Sequence, residues 1–218
     1  MAKLESTFKN MFLSLLIITV VVGVVLSQVN RLTEAPIAAA KALKLENAIK
    51  EVVPEFDNDP VAESYTMETD NGDELLVYPA LKGGEVVGFA VNSFSNNGFS
   101  GNIEIMVGFD MQDCVVNYSV LSHAETPGLG SKMTDWFKDA SKPAQSIVGR
   151  NLSEAVLGVT KDGGQIDAIT ASTITSRAFL EAVNKAYAAY KASGSNSGAT
   201  EAVAEANDES IEKGDDHE

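Results

Sequence analysis

The chain has 218 residues, which suffices for one domain of ordinary size plus appendages. Its 16 basic residues stand against 31 acidic ones, a net charge of −15, and this sets nucleic acid aside as a partner, since binding a phosphate backbone draws on clustered Lys and Arg. The lone Cys114 permits no intramolecular disulfide; in its apolar, alternating run it reads as a buried, idle thiol, and no metal site is expected.

From Met11 to Leu26 the sequence is almost wholly aliphatic, broken only by Ser14, Thr19 and Gly23, with no charge between Lys9 and Arg31. At about 1.5 Å per residue, roughly 20 uncharged residues span about 30 Å, the thickness of a hydrocarbon core. A cleaved signal peptide is the competing reading, with Val25 and Ser27 at small-residue cleavage positions, but the apolar stretch exceeds the usual length of such a region. Lys3, Lys9 and the amino terminus precede the segment and only Arg31 follows closely. That bias puts the N-terminus inside and everything after residue 30 outside the cytoplasm.

Thr33, Glu34 and Pro36 read as a helix start, and Ile37, Ala40, Leu43, Ile49 and Val53 recur at helical spacing until Pro54. A juxtamembrane helix over 31–56 is expected, then a loop from Asp57 to Asp73. Glu74 to Leu81 and Val86 to Phe94 form a predicted hairpin around Lys82-Gly83-Gly84, and Asn102 to Phe109 pairs with Cys114 to Leu121 around residues 110–113. The result is an antiparallel, meander-like sheet.

Met133 to Ala140 and Ser141 to Ile147 have helical propensity interrupted by Pro143, with Trp136 and Phe137 as apolar anchors. A short strand, Gln165 to Thr170, is predicted to feed a helix from Thr173 to Lys191 with Ala178, Phe179, Ala182, Val183, Ala186 and Tyr190 on one face. Strands followed by helices give an α+β domain over 57–191. Residues 192–218 hold eight acids and one lysine among Ser, Gly, Asn and Ala, a composition expected to stay disordered.

The strand-to-helix junction places Thr170, Ser172, Thr173, Thr175 and Ser176 within seven residues. The first N–H groups of a helix lack intrahelical partners and the dipole there is positive, so such a junction suits an anionic phosphate, with hydroxyls as further donors. An N-cap by Ser172 or Thr173 with a polar first turn accounts for the same composition. Upstream, Thr126-Pro127-Gly128-Leu129-Gly130 is a turn in which proline fixes φ and glycine allows backbone to approach a flat ligand. His123 reads as a satisfied histidine, and no catalytic residue is assigned.

Asp167, Thr170 and Thr173 resemble the flavinylation motif of the FMN-binding domain family, an Asp, two variable residues, Ser or Thr, Gly, Ala, then the acceptor Thr; Ala171 stands where Gly is usual and Ser172 where Ala is usual. His123-Ala124-Glu125-Thr126-Pro127-Gly128-Leu129-Gly130 resembles the signature of the G subunit of Rnf ion-translocating electron-transport complexes and of the related C subunit of the sodium-pumping quinone reductase. Gly98-Phe99-Ser100-Gly101 is similar to the family's glycine-aromatic entry to the second strand pair.

The resemblance implies a single-pass protein of the inner membrane with an N-terminal transmembrane helix (1–30 including its tail) and an extracytoplasmic FMN-binding domain, its antiparallel sheet flanked by helices. It implies FMN held as a phosphoester on Thr173 by a flavin transferase, with Ser172, Thr170, Thr175 and Ser176 near the phosphate and Glu125, Thr126, Gly128, Leu129 and Gly130 walling the isoalloxazine. It further implies electron transfer with integral-membrane and peripheral sister subunits of a complex coupling ferredoxin and NAD oxidoreduction to ion translocation. A membrane-anchored interaction protein with a flavin-free domain of the same fold is the alternative.

Overall fold

The computed structural model describes residues 7–69 and 72–195, and the chain divides into two compact units, Met1–Lys44 and Leu45–Glu218. Lys3 and the acidic tail from residue 196 lie outside the described residues. Helix α1 runs without a break from Phe8 to Val52, where the sequence suggests two helices meeting near Thr33. Thr33 does not cap a new helix. Its hydroxyl donates back to the carbonyls of Val29 and Asn30, at 2.9 and 3.2 Å, and Pro36 costs the helix one N–H without ending it.

In the first unit every side chain from residue 11 to 44 is exposed, including the aliphatic run from Met11 to Leu26. This helix is long and apolar enough to cross a membrane. The two hydroxyls within the aliphatic run are satisfied internally: Ser14 donates to the Asn10 carbonyl at 2.7 Å and Thr19 to those of Leu15 and Leu16. Back-bonding of this kind removes the cost of a bare hydroxyl in an apolar medium.

The second unit is built on a five-stranded antiparallel sheet in the order β1-β2-β3-β4-β5, with β1 Tyr65–Glu68, β2 Glu74–Lys82, β3 Glu85–Gly98, β4 Gly101–Asp110 and β5 Val115–His123. The two predicted hairpins are present. β1 was hidden in the expected loop because it is only four residues long and lies at the sheet edge, where its backbone is held through the pairs Tyr65↔Val77 and Met67↔Leu75.

One face of the sheet carries Leu75, Val77, Phe89, Val91, Ile105, Val107 and Phe109 and packs against helix α3, Thr173–Ser195. All six residues predicted for the apolar face of α3 are buried. Phe179 stacks on Phe137 with ring centroids 4.5 Å apart and meets Tyr118 edge-on at 4.8 Å. Burying a phenylalanine to this extent contributes about 1.5–3 kcal/mol before entropy is subtracted. The opposite face presents Tyr78, Ala80, Ala90 and Met106 to Ala48, Ile49 and Val52 of the last turns of α1. A Cβ on Gly108 would fall on the Val52 carbonyl, so a bare strand position lets the helix end touch the sheet. Two covered faces explain why β4 reads as an almost unbroken apolar run.

Four further expectations are corrected. The stretch predicted as helices over 133–147 holds a four-residue helix α2, Met133–Trp136, after a 3-10 turn at Gly130–Lys132, and continues as turns toward Pro143. Gln165–Thr170 is not a strand. Ile166 makes an isolated bridge to Val159, and the neighbouring N–H groups go elsewhere, Asp167 N–H to the Ala144 carbonyl and Ile169 N–H to the Ser176 hydroxyl. Cys114 is half-buried at a turn, with its thiol pushed up by burial and by the carboxylates of Asp110 and Asp113. Helix α3 also continues past Lys191, so residues 192–195 belong to it.

Candidate functional site

The N-terminus of α3 is set by a turn at 170–172. Ser172 N–H donates to the Ile169 carbonyl at 2.9 Å, and Ser176 closes the turn from within the helix, its hydroxyl donating to the Ser172 carbonyl and accepting from Ile169 N–H, both at 2.9 Å. Ala171 takes φ +61 in this turn. A left-handed residue is what glycine supplies at no steric cost, so the usual glycine of the motif has a geometric reason, and Ala171 adopts the same turn at about 1–2 kcal/mol.

The turn delivers Thr173 to the start of α3 half-buried. Its Oγ1 accepts a hydrogen bond from Lys161 Nζ at 3.0 Å. Thr173 lies on a cleft of about 340 Å³ lined also by Ala171, Ser172, Ile174 and Thr175, by Glu125, Thr126, Leu129 and Gly130, and by Phe99. Two motifs that begin more than forty residues apart thus share one hollow. Phe99, Leu129 and Ile174 are exposed at it, at 68, 41 and 49 %, an apolar rim around a polar floor.

Glu125 joins the three walls. It is 5 % exposed, and its Oε1 accepts from Ser100 N–H at 2.9 Å while its Oε2 accepts from the Thr175 hydroxyl at 2.6 Å. Its own N–H donates to His123 Nδ1 at 3.1 Å, which leaves His123 a brace of the loop. Gly130 admits this arrangement: a Cβ there would stand 2.5 Å from Glu125 Oε2 and 2.8 Å from Thr175 Oγ1.

The predicted residues therefore separate by what their polar atoms already do. Ser172, Thr173, Thr175, Glu125, Thr126, Leu129 and Gly130 line the cleft, whereas Thr170, Ser176 and Gly128 do not. Thr175 and Ser176 are 1 % and 0 % exposed, with their hydroxyls engaged in the frame. Lys161 was not singled out in the sequence. It stands twelve residues before Thr173, and only the fold brings it back. The Lys161-Asp162-Gly163-Gly164 run marks a turn but gives no sign of where that turn goes. Among the described residues no cluster of His, Cys, Asp and Glu could hold a metal ion.

These residues suit the phosphate and ring of a flavin nucleotide: an accessible hydroxyl at a helix start, a cation beside it, and a cleft with an apolar rim close to backbone. The class follows from the comparison with known families, in which residues 98–188 match the FMN-binding domain.

Over a longer span the chain is similar to proteins known as the G subunit of the ion-translocating oxidoreductase complex. That of Yersinia pestis is 37 % identical over 167 residues, covering 72 % of this chain and 78 % of the relative. Those of Aliivibrio fischeri and Shewanella piezotolerans are 34 % and 31 % identical, covering 85 and 84 % of this chain and 91 and 88 % of theirs. The chain belongs to the G-subunit family of ion-translocating oxidoreductase complexes.

Proposed function

We propose that this protein carries FMN as a phosphoester on Thr173 and passes electrons through it within an ion-translocating oxidoreductase complex. The observation that carries the reading is that the Thr173 hydroxyl, half-buried at the start of α3, opens onto the same cleft as the 125–130 loop and Phe99. Ser172 and the first N–H groups of α3 would meet the phosphate, and Thr126, Leu129, Gly130 and Phe99 would flank the ring. Ser176 supports this indirectly by fixing the turn that presents Thr173, and Thr175 by holding Glu125; Thr170 lies outside the cleft.

The flavin supplies the redox chemistry, and the chain has to hold it and exclude competing reactions. Attachment by a flavin transferase would make the cofactor permanent, replacing binding affinity by a high effective concentration. The exposed apolar span of α1 supports a membrane anchor, and the lysines before it an extracytoplasmic domain. Sister subunits would supply and accept the electrons, with ferredoxin and NAD as the outer redox couples. The span itself contains no ionisable residue between Lys9 and Arg31, so ion movement belongs to other subunits.

Intact mass of the denatured protein, after coexpression with a flavin transferase, tests the covalent reading. A gain of one FMN less water, absent from Thr173→Ala, is expected. An unmodified wild-type chain beside a loaded control acceptor in the same cells would sink it and leave a flavin-free binding domain.

A further inference from the structure

A phosphodiester at Thr173 adds a negative charge to a cleft that already contains the buried Glu125, in a chain of net charge −15. Such a charge needs a cation nearby, because low-dielectric surroundings make an unpaired one costly. Lys161 Nζ is 3.0 Å from Thr173 Oγ1.

The lysine is positioned by its backbone. It is the middle residue of the 3-10 turn Thr160–Asp162. Thr160 N–H donates to the Ile166 carbonyl at 2.8 Å and Ile166 N–H to the Gly158 carbonyl at 3.0 Å, which tie the turn to the segment entering α3. Asp162 ties it again from the other side. Its carboxylate accepts from both Nε and Nη2 of Arg177 at 2.7 Å, and Arg177 lies one helical turn beyond Thr173. The nearby arginine is thus engaged by Asp162, and the lysine faces the hydroxyl.

We infer that Lys161 is the cation that serves the phosphate at Thr173, hydrogen-bonding Oγ before attachment and pairing with a phosphate oxygen afterwards. This rests on the covalent reading above. In the attachment step Thr173 loses its hydroxyl proton as Oγ bonds to the flavin-side phosphorus of FAD. The pyrophosphate P–O bond breaks, and AMP leaves with the proton. Negative charge gathers on the phosphoryl oxygens during that exchange, and an ammonium held beside the entering oxygen stabilises it.

The test is a loading time course by intact mass, with the full chain in detergent, purified flavin transferase and FAD, for wild type, Lys161→Gln and Lys161→Arg. Lys161→Gln is expected to load about tenfold more slowly, and Lys161→Arg within about threefold of wild type, given a charge contact at a partly exposed site. The phosphorus resonance of the loaded protein should also move in Lys161→Gln, a change that a bystander on the surface would not cause. Loading of Lys161→Gln at the wild-type rate with an unmoved resonance overturns the assignment, and so does an arginine variant as slow as the glutamine one. A wild-type chain that never loads removes the covalent reading itself, and Lys161 with it.

Discussion

Among the described residues, two hollows of the second unit are lined in part by α3, and the larger of them is not the proposed site. A groove of about 520 Å³ runs along Leu157–Val159 and one side of α3, lined by Asp162, Arg177, Glu181, Asn184 and Lys185. Its charges are joined in pairs: Arg177 with Asp162, and Lys185 with Asp73 and Glu181 at 2.8 and 3.5 Å. The Asn184 amide is spent on Leu157, its oxygen accepting from the backbone N–H and its nitrogen donating to the carbonyl. The cleft at Thr173 is smaller, about 340 Å³, but presents an exposed apolar rim and a hydroxyl within reach of solvent. A groove whose polar groups satisfy one another reads as packing between elements. A smaller cleft that leaves a reactive oxygen accessible reads as chemistry.

That contrast can be broken at Glu125. Replacing it by Ala strands the buried Thr175 hydroxyl and takes the acceptor from Ser100 N–H, and a loss of about 1–3 kcal/mol is expected in urea unfolding of the unloaded protein. Flavin incorporation should fall in parallel, since the three walls lose their common tie. A stability loss near zero would mean that Glu125 is dispensable to the frame.

Ala171→Gly sharpens the comparison from the opposite direction. The left-handed turn is strained for alanine, so glycine should raise stability by about 1 kcal/mol, seen as a higher urea midpoint at unchanged slope. Faster loading by the transferase is expected to accompany it. A drop in stability would show that this φ costs alanine nothing.

Glu51, on the sheet face away from both hollows, gives a smaller and pH-dependent effect. Burial opposes its ionisation, but hydrogen bonds from Lys138 at 2.6 Å and Ser119 at 2.9 Å hold the carboxyl below the usual carboxylate range. A group whose pKa is depressed by folding adds stability above its unfolded pKa and loses it as pH falls through the folded one. Glu51→Gln should therefore cost under about 1 kcal/mol at pH 7, discounted because both partners touch solvent. The gap to wild type should begin to close below about pH 4.5 and vanish at lower pH. A gap that persists in acid would point to packing as the cause.

The smallest effect is expected in the groove. Arg177→Gln opens an exposed ion pair, and the melting temperature of the unloaded protein should stay within about 2 °C of wild type. A large fall would show that the groove's ion pairs brace the helix more than exposure suggests.

Much of this architecture follows from local pattern. The aliphatic run from Met11 to Leu26, the alternation in the two hairpins and the 3.6-residue period of α3 each depend on neighbours in the chain, so the sequence alone determined the long apolar helix, the antiparallel meander and the apolar face of α3, while Thr173 stood out through the resemblance of its motif. Edge strand β1 and the turns around Pro143 escaped because four residues, or a helical propensity with no face to bury, carry too little local signal. Gln165–Thr170 has strand-like composition but lacks a partner edge, and its N–H groups find Ala144 and Ser176 instead. Tertiary structure alone decided which hydroxyls were already spent, that Ala171 takes the left-handed conformation for which glycine is usual, and that Lys161 returns to Thr173. Those facts depend on contacts between residues distant in sequence, and such contacts are fixed by the packing of α3 across the sheet.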